Sequence, residues 1–183
     1  MKGGAGAGRR PPLVATIVRV SNSIQPVAVF PGSFDPFHLG HADIISRATQ
    51  IFPRLIVGIL ENPSKQPVFT PAERLEMVRG LYAGDPAVEV RLFSGLLVKF
   101  LHQMQATVII RGMRAVSDFE YEFQMALMNR RLSPSAETVF LTPKEEYSYL
   151  SSRMVREVSA LGGDVSGLVP EPIRSLLEDR MRG

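Results

Sequence analysis

From residue 27 onward, short apolar runs alternate with stretches whose apolar positions recur every three or four residues. Residues 27–30, 55–60, 88–92, 107–110 and 138–141 have the length and β-branched content of strands. The run Leu55-Ile56-Val57-Gly58-Ile59-Leu60 is apolar without a break, as expected of a strand buried on both faces. Helical spacing of Ile44, Ile45, Ala48, Ile51 and Phe52 predicts a helix over 39–52. Thr70-Pro71-Ala72-Glu73 combines a capping hydroxyl, a proline at the first helical position and a glutamate placed for a capping box. That helix should end near Tyr82, before Gly84-Asp85-Pro86. Ser94 is expected to cap a helix over 95–103, and further helices are predicted over 116–132, 151–161 and 170–181. Strands joined by helices give an α/β fold: a Rossmann-like open five-stranded parallel sheet, helices on both faces, and a C-terminal helical extension.

Such sheets bind ligands beyond the carboxyl ends of their strands, so the residues just after each strand are the candidates for chemistry. Residues 30–41 read Phe-Pro-Gly-Ser-Phe-Asp-Pro-Phe-His-Leu-Gly-His, a strand breaking into a Gly/Pro-rich turn that opens a helix. A turn of this kind presents backbone N–H groups to a phosphate at a positive helix end. Gly32 and Ser33 can supply N–H and hydroxyl donors there. His38 and His41, three residues apart, face the same way and can meet phosphate oxygens as charge builds on them. For either histidine alone, a capping turn in which Asp35 and His41 satisfy backbone groups is the simpler reading.

Later strand ends add charge and hydroxyls. Asn62, Ser64 and Lys65 follow the second strand; Ser94, Gly95, Leu96 and Leu97 follow the third. Arg111 and Arg114 flank Gly112-Met113 after the fourth, a cationic fork suited to phosphate oxygens. The competing role for those arginines is ion pairing to Asp118 and Glu122. After the fifth strand come Tyr147, Ser151, Ser152 and Arg153, where paired serines can cap a helix or hold phosphates. Arg156, one turn later, is read as a surface residue. On the 116–132 helix, Phe119, Phe123, Ala126 and Leu127 share one face and Tyr121, Met125 and Met128 lie roughly opposite. Two apolar faces call for two coverings, either a partner subunit or another element such as the last helix.

Composition narrows the partners. The chain has 183 residues, 45% hydrophobic and 21% charged, sized for one domain with a proper core. The formal charge is +3, yet Lys2, Arg9, Arg10 and Arg19 all fall in residues 1–26, which hold no acid. The remainder is one unit negative, which opposes a general nucleic-acid surface. No apolar run is long enough to span a membrane. Arg9-Arg10 is followed by too short an apolar run for a twin-arginine signal, so residues 1–26 are expected to be a disordered extension and 27–183 a single domain. The absence of cysteine excludes thiolate catalysis and suits a cytoplasmic setting. Three histidines, with His102 on a separate helix, offer no evident metal-ligand set.

Four blocks together, P-G-S-F-D-P-F-H-L-G-H, N-P-S-K-Q-P-V-F-T, I-I-R-G-M-R-A-V-S-D-F-E-Y-E and Y-S-Y-L-S-S-R-M-V-R-E-V, resemble the bacterial phosphopantetheine adenylyltransferases of the HxGH nucleotidyltransferase superfamily. The first block marks the superfamily; the second and third in order are far more specific. The resemblance implies adenylyl transfer from ATP to 4′-phosphopantetheine, giving 3′-dephospho-CoA and pyrophosphate. It also implies magnesium as cofactor, a homohexamer, and coenzyme A as a feedback inhibitor. By position it places ATP on Ser33, Phe34, His41, Gly112, Met113, Arg114 and Glu122. The stretch Tyr147, Ser148, Tyr149, Leu150, Ser151, Ser152 and Arg153 adds to that site. It places the acceptor on Ser33, Lys65, Leu97 and Arg111. Two positions depart: Arg153 stands where the superfamily motif usually has Ser or Thr, and Gly95 where an acid is often found.

The acceptor is already an anionic phosphate, so the reaction needs neither a general base nor a protein nucleophile. The enzyme must align acceptor and α-phosphate and offset transition-state charge, a task for His41, Lys65, Arg111 and Arg114 as cations or donors. An adenylyltransferase for nicotinate mononucleotide, or a cytidylyltransferase, would share only the first block. A non-catalytic nucleotide sensor should have lost His41, Lys65 or Arg111, and all three are present. An RNA-binding protein is opposed by the near-neutral body.

Overall fold

The computed structural model describes residues 26–61 and 67–182. Its sheet is built from β1 (Val27–Gly32), β2 (Arg54–Glu61), β3 (Val88–Ser94), β4 (Val108–Gly112) and β5 (Glu137–Leu141), all parallel, in the order β3-β2-β1-β4-β5. The helices are α1 (Leu39–Ile51), α2 (Pro71–Leu81), α3 (Leu97–Gln103), α4 (Val116–Leu132), α5 (Ser152–Ala160) and α6 (Glu171–Arg182). The expected fold class is the observed one. Residues 1–25, nearly all of the expected extension, and the loop carrying Asn62, Ser64 and Lys65 lie outside the described residues.

Strand periodicity divides the core into two layers. Ala28, Phe30, Leu55, Val57, Ile59, Val108 and Ile110 point to one face, where Ile44, Ile45 and Ala48 of α1, Val78 of α2, Val155 of α5 and Ile173 of α6 cover them. The alternate residues Val29, Ile56 and Ile109 point to the other face and meet Phe100 and Leu101 of α3. Both faces of β2 are buried, which is why its sequence shows no alternation.

Order 3-2-1-4-5 puts the topological switch between β1 and β4: α1, after β1, covers one face, and α4, after β4, packs with α3 on the other. The crevice outside the carboxyl ends of β1 and β4 is the ligand position such a sheet offers.

One boundary differs from the sequence reading. Ser94 does not cap α3; it is the last residue of β3, paired with Glu61 of β2. The ladder claims its backbone, and Gly95, at φ 77°, makes the turn to Leu96, the residue that actually precedes α3. The capping box of α2 is present as read: Glu73 N donates to Thr70 Oγ1 at 3.3 Å, and Thr70 N donates to Glu73 Oε2 at 2.7 Å.

Candidate active site

The turn after β1 is held in a conformation that its sequence alone would not choose. Phe34 has φ 50°, in the left-handed region where a side chain costs about 1–2 kcal/mol. Its ring is 2% exposed, and burying a phenyl group contributes about 1.5–3 kcal/mol, enough to offset the strain. The ring lies over Gly32, where a Cβ would come within 2.9 Å of it, so only glycine fits beneath.

Donors from outside hold the turn's carbonyls. Arg74 of α2 reaches Ser33 O, Arg156 of α5 reaches Asp35 O, and Ser152 Oγ donates to Pro36 O at 2.8 Å. The Asp35 carboxylate points elsewhere, accepting from Val68 N at 3.0 Å and Phe69 N at 2.9 Å. It therefore secures the strand of chain leading into α2 and does not cap its own turn. Arg156, read from sequence as a surface residue, is half-buried and also lies 3.6 Å from the Asp35 carboxylate. Helical spacing from Ser152 indicated this contact: positions four apart share a face, and Ser152 already faces the turn.

At the start of α1, the His38 and His41 rings stack with centroids 3.6 Å apart. Phe34 and Phe37 add edges at 4.9 and 5.4 Å from the His41 ring. Burial pushes the His38 imidazole down to about 3, with the Arg114 charge adding to the effect. Burial also holds His41 well below its usual value, helped by His38, Arg114 and Arg111. Both rings are neutral at pH 7. The His38 N–H donates to His41 Nδ1 at 3.2 Å, so the single ring proton of His41 sits on Nε2. His41 is a neutral donor at a positive helix end, not a cation.

The cationic fork is present, and so are the ion pairs that competed with it. Arg111 forms a bidentate pair with Glu122, with Nε to Oε2 at 2.6 Å, and Nη1 donates to Pro31 O at 3.0 Å. Arg114 pairs with Asp118 at 3.1 Å and donates to Leu150 O at 2.7 Å. These contacts aim both guanidinium groups while leaving them partly open to solvent, at 30% and 36% exposure.

A cleft of about 320 Å³ gathers much of the expected site. From the turn after β1 come Ser33, Phe34 and His38, from α1 His41, from β4 and the segment after it Arg111, Gly112 and Arg114, from α4 Glu122, from the loop after β5 Tyr147 and Ser151, and from the start of α5 Ser152. A second cavity of about 310 Å³ is mainly apolar, with Leu60, Phe93, Leu97, Met125 and Leu132 in its wall. The two share Pro31, Gly32, Arg111 and Glu122.

Several expected residues stand outside the cleft lining. Leu150 is fully buried and contributes only its carbonyl, to Arg114. Met113 N bonds Leu141 O at 2.9 Å, and Ser148 Oγ closes its own turn on Glu145 O at 2.7 Å. Tyr149 is 56% exposed, and Arg153 turns outward to Glu157 at 2.8 Å. Ser151 Oγ accepts from Met154 N at 3.1 Å as the cap of α5. Its hydroxyl proton remains available, whereas that of Ser152 is engaged on Pro36 O.

Asp43 and Arg47 of α1 had no sequence signal beyond their spacing of four. Asp43, 8% exposed, accepts from Lys144 N at 3.0 Å, and Arg47 reaches Thr142 O. Together they hold the loop after β5 against the helix that bears the histidines.

Comparison with known proteins gives the family. Residues 29–158 match the family model described as cytidylyltransferase-like. A Thioalkalivibrio sulfidiphilus protein named phosphopantetheine adenylyltransferase is 54% identical over 158 residues, covering 86% of this chain and 99% of its own. One of the same name from Aromatoleum aromaticum is 54% identical over 151 residues, covering 82% and 93%. A solved structure from Vibrio parahaemolyticus, provisionally named a nicotinate-nucleotide adenylyltransferase, superposes with a TM-score of 0.64 at 17% identity. It covers 84% of this chain and 99% of its own, a likeness of fold. With its cleft at the β1–β4 switch, its His38–His41 pair and relatives matched over most of their length, the chain belongs to the phosphopantetheine adenylyltransferases of the cytidylyltransferase-like family.

Proposed function

We propose that this chain transfers the adenylyl group of ATP to 4′-phosphopantetheine, releasing pyrophosphate and 3′-dephospho-CoA. The observation that carries the reading is the shared wall. A polar cleft with a helix N-terminus and a neutral histidine meets a mainly apolar cavity at Arg111 and Glu122. A nucleoside triphosphate suits the first; a long, uncharged arm ending in a phosphate suits the second, its phosphate at the junction. The relatives' name, phosphopantetheine adenylyltransferase, describes the same pair.

In this mechanism an acceptor phosphate oxygen attacks the α-phosphorus in line. The new P–O bond forms as the bond to the β-phosphate bridging oxygen breaks, and pyrophosphate leaves with that electron pair. No proton transfer and no covalent enzyme intermediate are required. His41 Nε2–H and the N-terminus of α1 stabilise the equatorial oxygens of the transition state. Arg111 and Lys65 hold the acceptor phosphate, Leu97 lines its arm, and Arg114 and Ser151 contact the ATP phosphates.

Among the described residues no cluster of three or more acidic, histidine or cysteine side chains could cage a magnesium ion. Asp118 and Glu122 in the cleft are each ion-paired to an arginine. An ion arriving with ATP would be held by phosphate oxygens and water, and would offset their charge.

The oligomer is part of the proposal. The exposed apolar side chains of α4, among them Phe119, Phe123, Leu127 and Met128, suit a contact between copies of the chain, which we take to be the homohexamer. Within the described residues α4 packs on α3 and β5, and α6 packs on α5. Coenzyme A, sharing the acceptor's arm, would compete for the second cavity. No helix among the described residues is long and apolar enough to cross a membrane, and a cytoplasmic setting suits the substrates.

Pyrophosphate release from ATP, with 4′-phosphopantetheine set against nicotinate mononucleotide, tests the assignment. Turnover with the first and not the second is expected; turnover with nicotinate mononucleotide alone would overturn it.

A further inference from the structure

Arg74 is an unusual residue for its place. It stands at the fourth position of α2, where a cation opposes the helix dipole, and it is 3% exposed. A buried charge is disfavoured unless its donors are satisfied, and an apolar residue of the same volume often does as well for stability. Burial pushes the guanidinium below its usual range, and the nearby Asp35 and Glu61 carboxylates work against that.

The donors of Arg74 end on three segments that are distant in sequence. Nε donates to Phe69 O at 3.1 Å, just before α2; Nη1 donates to Ser33 O, in the turn after β1, and to Leu60 O at 3.2 Å, near the end of β2. Ser33 lines the polar cleft, and Leu60 lines the mainly apolar cavity beside it. One planar group therefore spans a wall of each cavity. Both cavity-wall bonds come from Nη1, and the Nε bond to Phe69 O fixes where that nitrogen sits; a lysine would keep the charge but lose this planar anchor.

We propose that Arg74 is a positioning residue that sets the spacing between the two substrate cavities by bonding Ser33 O and Leu60 O at once. The inference rests on the two-cavity reading given above. It acts on the alignment of the reacting phosphates more than on the capture of either substrate, because no Arg74 atom lines either cavity.

The test compares Arg74→Lys and Arg74→Ala with the exposed control Arg79→Met. Melting temperature, ATP affinity by calorimetry, and kcat and KM for both substrates are measured well below the melting temperature. Arg74→Lys should lower kcat about 10–100-fold, with ATP affinity and both KM values within about threefold. Added guanidinium, kept below the concentration that begins to unfold the protein, should restore part of kcat in Arg74→Ala while leaving both KM values within about threefold. A folded Arg74→Lys with kcat within twofold of wild type overturns the proposal. So does a kcat of Arg74→Ala that guanidinium leaves unchanged, and so does failure of both variants to fold, since each leaves only a structural role. Loss of turnover in the unmodified protein would instead count against the assigned reaction.

Discussion

The backbone N–H of His38 donates to Nδ1 of His41 at 3.2 Å, and this bond decides what His41 can do. With burial keeping the ring neutral, its one proton lies on Nε2, where it can be given as a hydrogen bond to a phosphate oxygen. His41→Ala should lower kcat about 10²–10³-fold, the usual loss for one such donor. ATP affinity should change only a few-fold. A kcat close to wild type would remove the donor role.

The same ring pair makes stability depend on pH. His38 titrates near 3 in the folded chain and near 6.5 when unfolded. Between these values the unfolded state binds more protons, so stability is complete above about pH 6.5 and declines as pH falls toward 3. From pH 6.5 to 5 the decline should be roughly 2 kcal/mol for this residue, at about 1.4 kcal/mol per pH unit. Urea unfolding at several pH values should show a shallower slope in His38→Asn than in wild type. Equal slopes would mean that His38 titrates normally.

Arg111 is bound to Glu122 through both guanidinium edges and to Pro31 O besides. Arg111→Lys keeps the charge and loses the fork. KM for 4′-phosphopantetheine should rise about 10–100-fold, while ATP affinity changes far less. Steady-state kinetics with each substrate varied in turn separates the two.

Metal removal should divide activity from folding. Because the described residues provide no metal-holding cluster, EDTA should abolish turnover and leave the melting temperature unchanged. A fall in melting temperature with EDTA would reveal a structural ion.

The apolar surface of α4 predicts self-association. Leu127, 49% exposed, is a suitable place for a charge. Sedimentation should find wild type as a hexamer and Leu127→Asp as smaller species that remain folded by circular dichroism. A wild-type monomer would refute the assembly.

The sequence by itself determined what depends on neighbours along the chain. Five strands and six helices could be read from apolar spacing, and the α2 capping box from Thr70 and Glu73, because those forces act within a few residues. The turn through Ser33, the histidines and the Arg111–Arg114 fork could be placed at the ligand edge, because the carboxyl ends of parallel strands always lie together. Tertiary structure decided the rest. Ser94 looked like a cap until pairing with Glu61 claimed it for β3. Arg156 reads as a surface residue in sequence, and Arg74 and Asp43 draw no notice there, since their partners Asp35, Ser33 and Lys144 lie 121, 41 and 101 positions away. The protonation of His41 also belongs to the fold: a histidine in sequence has no tautomer and no fixed charge, and only Phe34, Phe37, His38 and the two arginines closing around it supply both.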